Sequence, residues 1–331
     1  MEVIYYEREE KEKRNVYIFC ILIFIFSFVA GIISKVAIKP KWNQKYSVTW
    51  SNEIGTKYTD ISYGKLDSNK FDLYLPKDNT KSNYGLAVYL HAGGFTTGDK
   101  SDDESMLAWL CSKGYVACGI NYTLRNETNN SSVLQQSNEI KQAMPVVVEK
   151  AKELGYSINK MTIAGGSAGH CLAMIYAYRD AKESPVPVVL TFGAVGPSSF
   201  FRKDWDNYGL DKDTDESIAA AAGLFSIMGG VNITTDMIKD GSYQELMKPV
   251  SAYAWIDENS VPTVVAYGRY DKVQPFKGSL RLKKALEDNN VDFKYFELPH
   301  SGHGLQNDNK ISKQWMEAID EYLDKYMPVE R

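Results

Sequence analysis

Short apolar runs alternate with longer segments of helical period along most of this chain. Runs that read as buried strands fall at residues 59–63, 71–75, 86–90, 115–121, 161–164, 186–194, 261–267 and 291–298. Between them, amphipathic segments at 103–112, 133–154, 168–181, 275–288 and 310–326 read as helices. Strand followed by helix, repeated, predicts an α/β fold: a mostly parallel sheet of about eight strands covered by helices on both faces. Residues 196–253 break the alternation. Phe200, Phe201, Trp205, Tyr208, Phe225 and Met228 suggest short helices inserted after a strand, where a lid could form. Those aromatics either pack the insertion onto the domain or touch a bound molecule.

The N-terminus follows another pattern. Residues 16–34 form a stretch of 19 without a charge, holding six isoleucines and four phenylalanines, long enough as a helix to cross a membrane. Phe28, two residues before Ala30, fits a signal-peptidase site poorly, so an uncleaved anchor is expected. The chain then divides into a polar tail at 1–15, a transmembrane anchor at 16–34, a tether at 35–54 and a folded domain at 55–331. Arg8, Lys11, Lys13 and Arg14 balance Lys35, Lys39, Lys41 and Lys45 across the anchor. A short polar tail kept inside would place the domain outside the cytoplasm.

Composition narrows the function. Roughly 290 residues follow the anchor, enough for one large core. The net charge is -4 with basic residues dispersed, which argues against a nucleic-acid partner. Cys20, Cys111, Cys118 and Cys171 show no C-x-x-C or metal-ligand spacing, so reduced, buried thiols are expected, with a Cys111–Cys118 bridge as the alternative. No metal or organic cofactor is implied.

The candidate chemistry sits at predicted strand ends. Gly165-Gly166-Ser167-Ala168-Gly169 joins an apolar strand to a helix, the strand–turn–helix setting of a G-x-S-x-G nucleophile elbow. Small residues at 165 and 169 let strand and helix approach around a serine able to attack a carbonyl carbon. Asp271 follows the run 262–267 and is the candidate acid; His300 and His303 lie in the loop after 291–298, and one of them is the candidate base. The strand 86–90 breaks into His91-Ala92-Gly93-Gly94-Phe95, whose glycines can aim backbone N–H groups at developing negative charge. The oxyanion donors expected are Gly93, Gly94 and the amide of Ala168.

These segments, with Asn121-Tyr122-Thr123-Leu124 and Gly302-His303-Gly304, resemble the α/β-hydrolase carboxylesterases. The similarity is to the branch with an H-G-G-G oxyanion loop, which includes hormone-sensitive-lipase-like and acetylxylan or feruloyl esterase-like members, and it spans residues 55–327. The order serine, aspartate, histidine is that of this fold. Ala92, Thr123 and His170 depart from the pattern, standing where a glycine, an arginine and a small residue are usual. Glycines on both sides of His303, against Pro299 before His300, make His303 the expected base, and the family's Gly-His-Gly setting points the same way. His91 is expected to organise its loop and His170 to pack or face solvent. The resemblance implies a serine carboxylesterase acting on a small-molecule or carbohydrate-linked ester. The alternatives are a serine peptidase of the prolyl-oligopeptidase kind and a catalytically inactive binding protein on the same fold.

Overall fold

The computed structural model describes residues 41–329. The predicted anchor at 16–34 lies outside them; among the described residues, no helix is long and apolar enough to cross a membrane. The chain divides between Lys45 and Tyr46 into two units, of which the second is compact. In the first, Lys41–Lys45 forms a 3₁₀ turn. In the second, packing begins ahead of the first strand: Tyr46 meets Trp109 edge-on at 5.2 Å, and Trp50 meets Tyr74 at 5.0 Å.

The strands are β1 (Gly55–Ser62), β2 (Lys70–Pro76), β3 (Tyr84–Leu90), β4 (Val116–Ile120), β5 (Ile158–Gly166), β6 (Val188–Ala194), β7 (Thr263–Gly268) and β8 (Phe293–Leu298). They form one sheet in the order β1-β2-β4-β3-β5-β6-β7-β8. The β1–β2 and β2–β4 pairs are antiparallel and the others parallel, so each apolar run predicted as a strand lies in the sheet. All five residues of β4 are buried, as expected of a strand covered on both faces.

The helices are α1 (Glu104–Ser112), α2 (Val133–Glu153), α3 (Ala168–Ile175), α4 (Asp215–Gly229), α5 (Thr235–Asp240), α6 (Tyr243–Met247), α7 (Phe276–Asp288) and α8 (Asn309–Tyr326). Side-chain caps fix several starts: Ser132, Thr214 and Thr234 each accept an amide of the first turn. The segment predicted as one helix over 168–181 is α3 followed by a π-helical turn, Tyr176–Asp180. This is the eight-stranded α/β-hydrolase fold.

The insertion between β6 and β7 carries α4, α5 and α6, and its aromatics pack inward. Phe200 stacks on Trp205 at 5.4 Å, both meet Phe225 edge-on, and Phe225 stacks on Tyr243 at 5.6 Å. Its two ends meet at Arg281 of α7, which grips Asp204 through two bonds of 2.6 and 2.9 Å and lies over the rings of Phe201 and Tyr253. Cys111, Cys118 and Cys171 are free, buried thiols, and burial pushes the Cys111 thiol up to about 12.

Register brings the chemistry to one sheet edge. Leu90 pairs with Gly165, Gly165 with Gly193, Gly193 with Val265, and Gly268 with Leu298. The loops after β3, β5, β6, β7 and β8 therefore leave the sheet side by side at the carboxyl ends of its strands, where α/β sheets build their sites.

Candidate active site

Ser167 occupies a backbone conformation that side chains rarely adopt, φ 50° and ψ −117°. The surrounding bonds and contacts impose it. The Ser167 amide donates to Ala194 O at 2.9 Å, and the Ser167 carbonyl accepts from Cys171 N as α3 begins. A methyl at Gly165 would fall 2.5 Å from the Gly169 carbonyl carbon, and one at Gly169 would fall 2.0 Å from Leu90 O. Only glycines let β5, α3 and β3 come this close.

The Ser167 hydroxyl lies 2.9 Å from His303 Nε2, and His303 Nδ1 lies 2.8 Å from Asp271 Oδ2. Asp271 is held from its other oxygen, for Oδ1 accepts the amides of Val273 and Gln274, each at 2.8 Å. Its carboxylate is almost wholly buried, whereas His303 keeps 28 % of its side chain exposed. The two loops meet at Gly268, where a methyl would fall 2.3 Å from Gly302 O, and the Tyr270 amide donates to Ser301 O. Neither Gly302 nor Gly304 adopts a left-handed conformation; the left-handed residue in this loop is Leu305, at φ 51°. His303 thus owes its place to close loop packing rather than to flexible neighbours. His300 points elsewhere, to Asp308.

Gly93 and Gly94 have φ of 125° and 59°, and the Gly93 carbonyl accepts from Thr96 N and Thr97 N. Among the described residues no protein acceptor is assigned to the amides of Gly93, Gly94 or Ala168. Donors left free at a strand end suit an oxyanion. His91 ties this loop together: its Nδ1 is 2.6 Å from Ala92 O, and its ring stacks on Tyr122 at 4.3 Å. Tyr122 in turn donates to His91 O at 2.9 Å. Burial lowers the proton affinity of His91 against the opposing pull of the Ala92 carbonyl. Phe95 O accepts from Arg125 N and Gln136 Nε2, which closes the far end of the loop. Among the described residues, no three His, Cys, Asp or Glu side chains are grouped to hold a metal ion.

The sequence pattern missed the two amides on Asp271, the Gly268–Gly302 contact and the Tyr122–His91 stack. The last two depend on segments far apart in the chain, whereas the first does not. The D-x-x-Q spacing at Asp271–Gln274 was a local signal for the first, since an Asp commonly accepts amides two and three residues on.

Residues 71–286 match the BD-FAE family. The chain belongs to that family. It is an α/β-hydrolase of that family. It is similar to a truncated carbohydrate esterase from gut microbiota, with a TM-score of 0.65, 17% identity, and coverage of 84% of this chain and 98% of that one. It also resembles the Est2 esterase of Thermogutta terrifontis, with a TM-score of 0.63, 20% identity, and coverage of 82% and 92%. Among curated relatives, the acylamino-acid-releasing enzyme of Mus musculus is 21% identical over 276 residues, 78% of this chain and 34% of that protein. Lipase 2 of Moraxella sp. (strain TA144) is 22% identical over 148 residues, 43% of this chain and 34% of that protein. The chain spans about a third of the length of these two curated relatives.

Proposed function

We propose that this BD-FAE protein is a serine carboxylesterase that works through an acyl-enzyme. The observation that carries the reading is the continuous relay from Ser167 Oγ through His303 to Asp271, at 2.9 and 2.8 Å. In this reading His303 takes the Ser167 proton as the serine oxygen bonds to the ester carbonyl carbon. The carbonyl oxygen, now negative, is held by the amides of Gly93, Gly94 and Ala168. His303 returns the proton to the departing alkoxide, leaving an acyl group on Ser167. Water, deprotonated by the same imidazole, then attacks that ester and releases the acid. Asp271 orients the ring and stabilises its positive charge.

The substrate class that fits is a small-molecule or carbohydrate-linked ester, in keeping with the carbohydrate esterase among the structural neighbours. The apolar segment 16–34 would tether the domain to a membrane, with the domain outside the cytoplasm. A protein that only bound esters would need no imidazole between a buried carboxylate and a serine.

The test is hydrolysis of p-nitrophenyl acetate and butyrate by the full-length chain in mild detergent, with Ser167→Ala in parallel. Turnover by the wild type and its loss in a folded Ser167→Ala protein are expected. Retention of more than a few per cent of turnover in that variant would remove the nucleophile from Ser167.

A further inference from the structure

His170 lies one turn past Ser167 on α3, fully buried, and the relay does not use it. Its imidazole is instead built into the turn that follows β6. The Gly196 amide donates to His170 Nδ1 at 3.1 Å, so Nδ1 is an acceptor and the ring proton is on Nε2, which has no partner among the described residues. Burial, opposed by the Ala194 carbonyl, pushes its proton affinity down to about 3, and the ring stays neutral. Two glycines make room for it. A methyl at Gly193 would fall 2.4 Å from His170 Cδ2, and one at Gly196 would fall 2.8 Å from His170 Cβ.

The turn so held bonds to Ser167 directly and reaches the strand before Asp271 and the His303 loop through its neighbours. Ala194 O accepts the Ser167 amide. Val195 donates to Ala266 O, and the hydroxyl of Tyr267, on the strand that ends before Asp271, donates to Gly196 O at 3.0 Å. Val195 is β-branched yet left-handed, at φ 51°, a conformation that persists only where its surroundings impose it. That twist puts Val195 in a small apolar cluster with Ala194, Ala266 and Leu298, against which Leu305 of the His303 loop packs.

We infer that His170 is a positioning residue for the proposed ester hydrolysis: its Nδ1 fixes the 194–196 turn, and the turn sets Ser167 directly and the His303 loop through Val195 and Leu305. The inference rests on the serine-esterase reading, and the experiment separates the two. In His170→Asn, Oδ1 takes the place of Nδ1; in His170→Leu, the volume is kept and the acceptor lost. Each is compared with the full-length wild type for kcat and KM on p-nitrophenyl acetate and for the rate of fluorophosphonate labelling, at matched thermal melting and circular dichroism. If the wild type neither turns over nor labels at Ser167, the esterase reading has failed. If it does both, the inference is tested by the variants.

The Leu variant should lose roughly 10- to 100-fold in kcat with KM within about threefold, the signature of misplaced reacting groups. The Asn variant should recover to within about threefold of wild-type kcat. A folded Leu variant with wild-type kcat would overturn the inference, as would an Asn variant as slow as the Leu one. Should the Leu variant not fold, Tyr267→Phe removes the other bond on Gly196 while keeping the ring. A fall of about 3- to 10-fold in kcat with unchanged KM supports positioning by the turn, and unchanged kcat contradicts it.

Discussion

Asp308 holds His300 by both carboxylate oxygens: Oδ1 lies 2.8 Å from His300 Nδ1, and Oδ2 accepts the His300 amide at 3.0 Å. The ring is 77% exposed. His303, three residues on, has its own carboxylate in Asp271 and the serine on its other nitrogen. His303→Ala should therefore lose nearly all ester hydrolysis, and His300→Ala should keep at least about half, as for a surface position outside the reacting groups. Both are measured at matched circular dichroism. The opposite ranking would put the base on His300.

Asp271→Asn offers a sharper test of the carboxylate. The amides of Val273 and Gln274 both donate to Oδ1, so an asparagine carbonyl is drawn to that side and its NH₂ faces His303 Nδ1. The ring must then accept at Nδ1 and carry its proton at Nε2, where a base is needed. Turnover should fall by orders of magnitude, about 10⁴ in the worked serine-protease case, with the fold intact. Near-normal kcat in a folded variant would mean another carboxylate serves.

Asp103, at the N-terminus of α1, makes a prediction about pH and stability. Burial, with Asp102 adding repulsion, raises its carboxyl to about 6 from an ordinary 3.8. Its side chain accepts no amide of the helix it precedes. Because the folded state holds this proton more tightly than the unfolded chain, its contribution is favourable at low pH and is lost as pH rises from about 4 to 6. At neutral pH the charged carboxylate is a cost. Asp103→Asn should raise stability at pH 7 by on the order of 1–2 kcal/mol and by much less near pH 4, read from urea midpoints. An equal gain at both pH values would contradict the assignment.

The apolar runs that announce inner strands such as β4 and β7 are legible because a strand buried on both faces must be apolar throughout, whereas the edge strands β1 and β8 are largely exposed or half-buried and read less clearly; helices of marked amphipathicity, such as α7 and α8, declare themselves by period. The positions of Ser167, Asp271 and His303 at strand ends follow from the same runs. The insertion is less legible. Phe200, Trp205 and Phe225 become a packed ladder only once α4 and α6 lie side by side, and no local spacing shows which surface an aromatic meets. The reason for His303 was also hidden: flanking glycines suggested flexibility, whereas Gly268 admits the loop and Leu305 turns it. The fit of His170 against Gly193 and Gly196 depends on neighbouring strands and could not be read from its place on the helix.

The insertion's anchorage can be measured. Asp204 is buried and takes two bonds from Arg281 and one from Ser199. Arg281→Ala would leave that carboxylate without its cation and remove the guanidinium that lies over Phe201 and Tyr253. Loss of about 3 kcal/mol is expected in chemical denaturation. A loss below about 0.5 kcal/mol would mean that the pair behaves as an exposed surface bridge.

The central claim, that Ser167 is a nucleophile activated by His303 and Asp271, is tested most directly by covalent capture. The full-length protein is treated with a fluorophosphonate, and the intact mass and the proteolytic peptide carrying the adduct are read by mass spectrometry. One adduct per chain on Ser167, formed far more slowly in His303→Ala and absent in Ser167→Ala, is the predicted result. An unlabelled wild type, or an adduct on any other residue, would contradict the account.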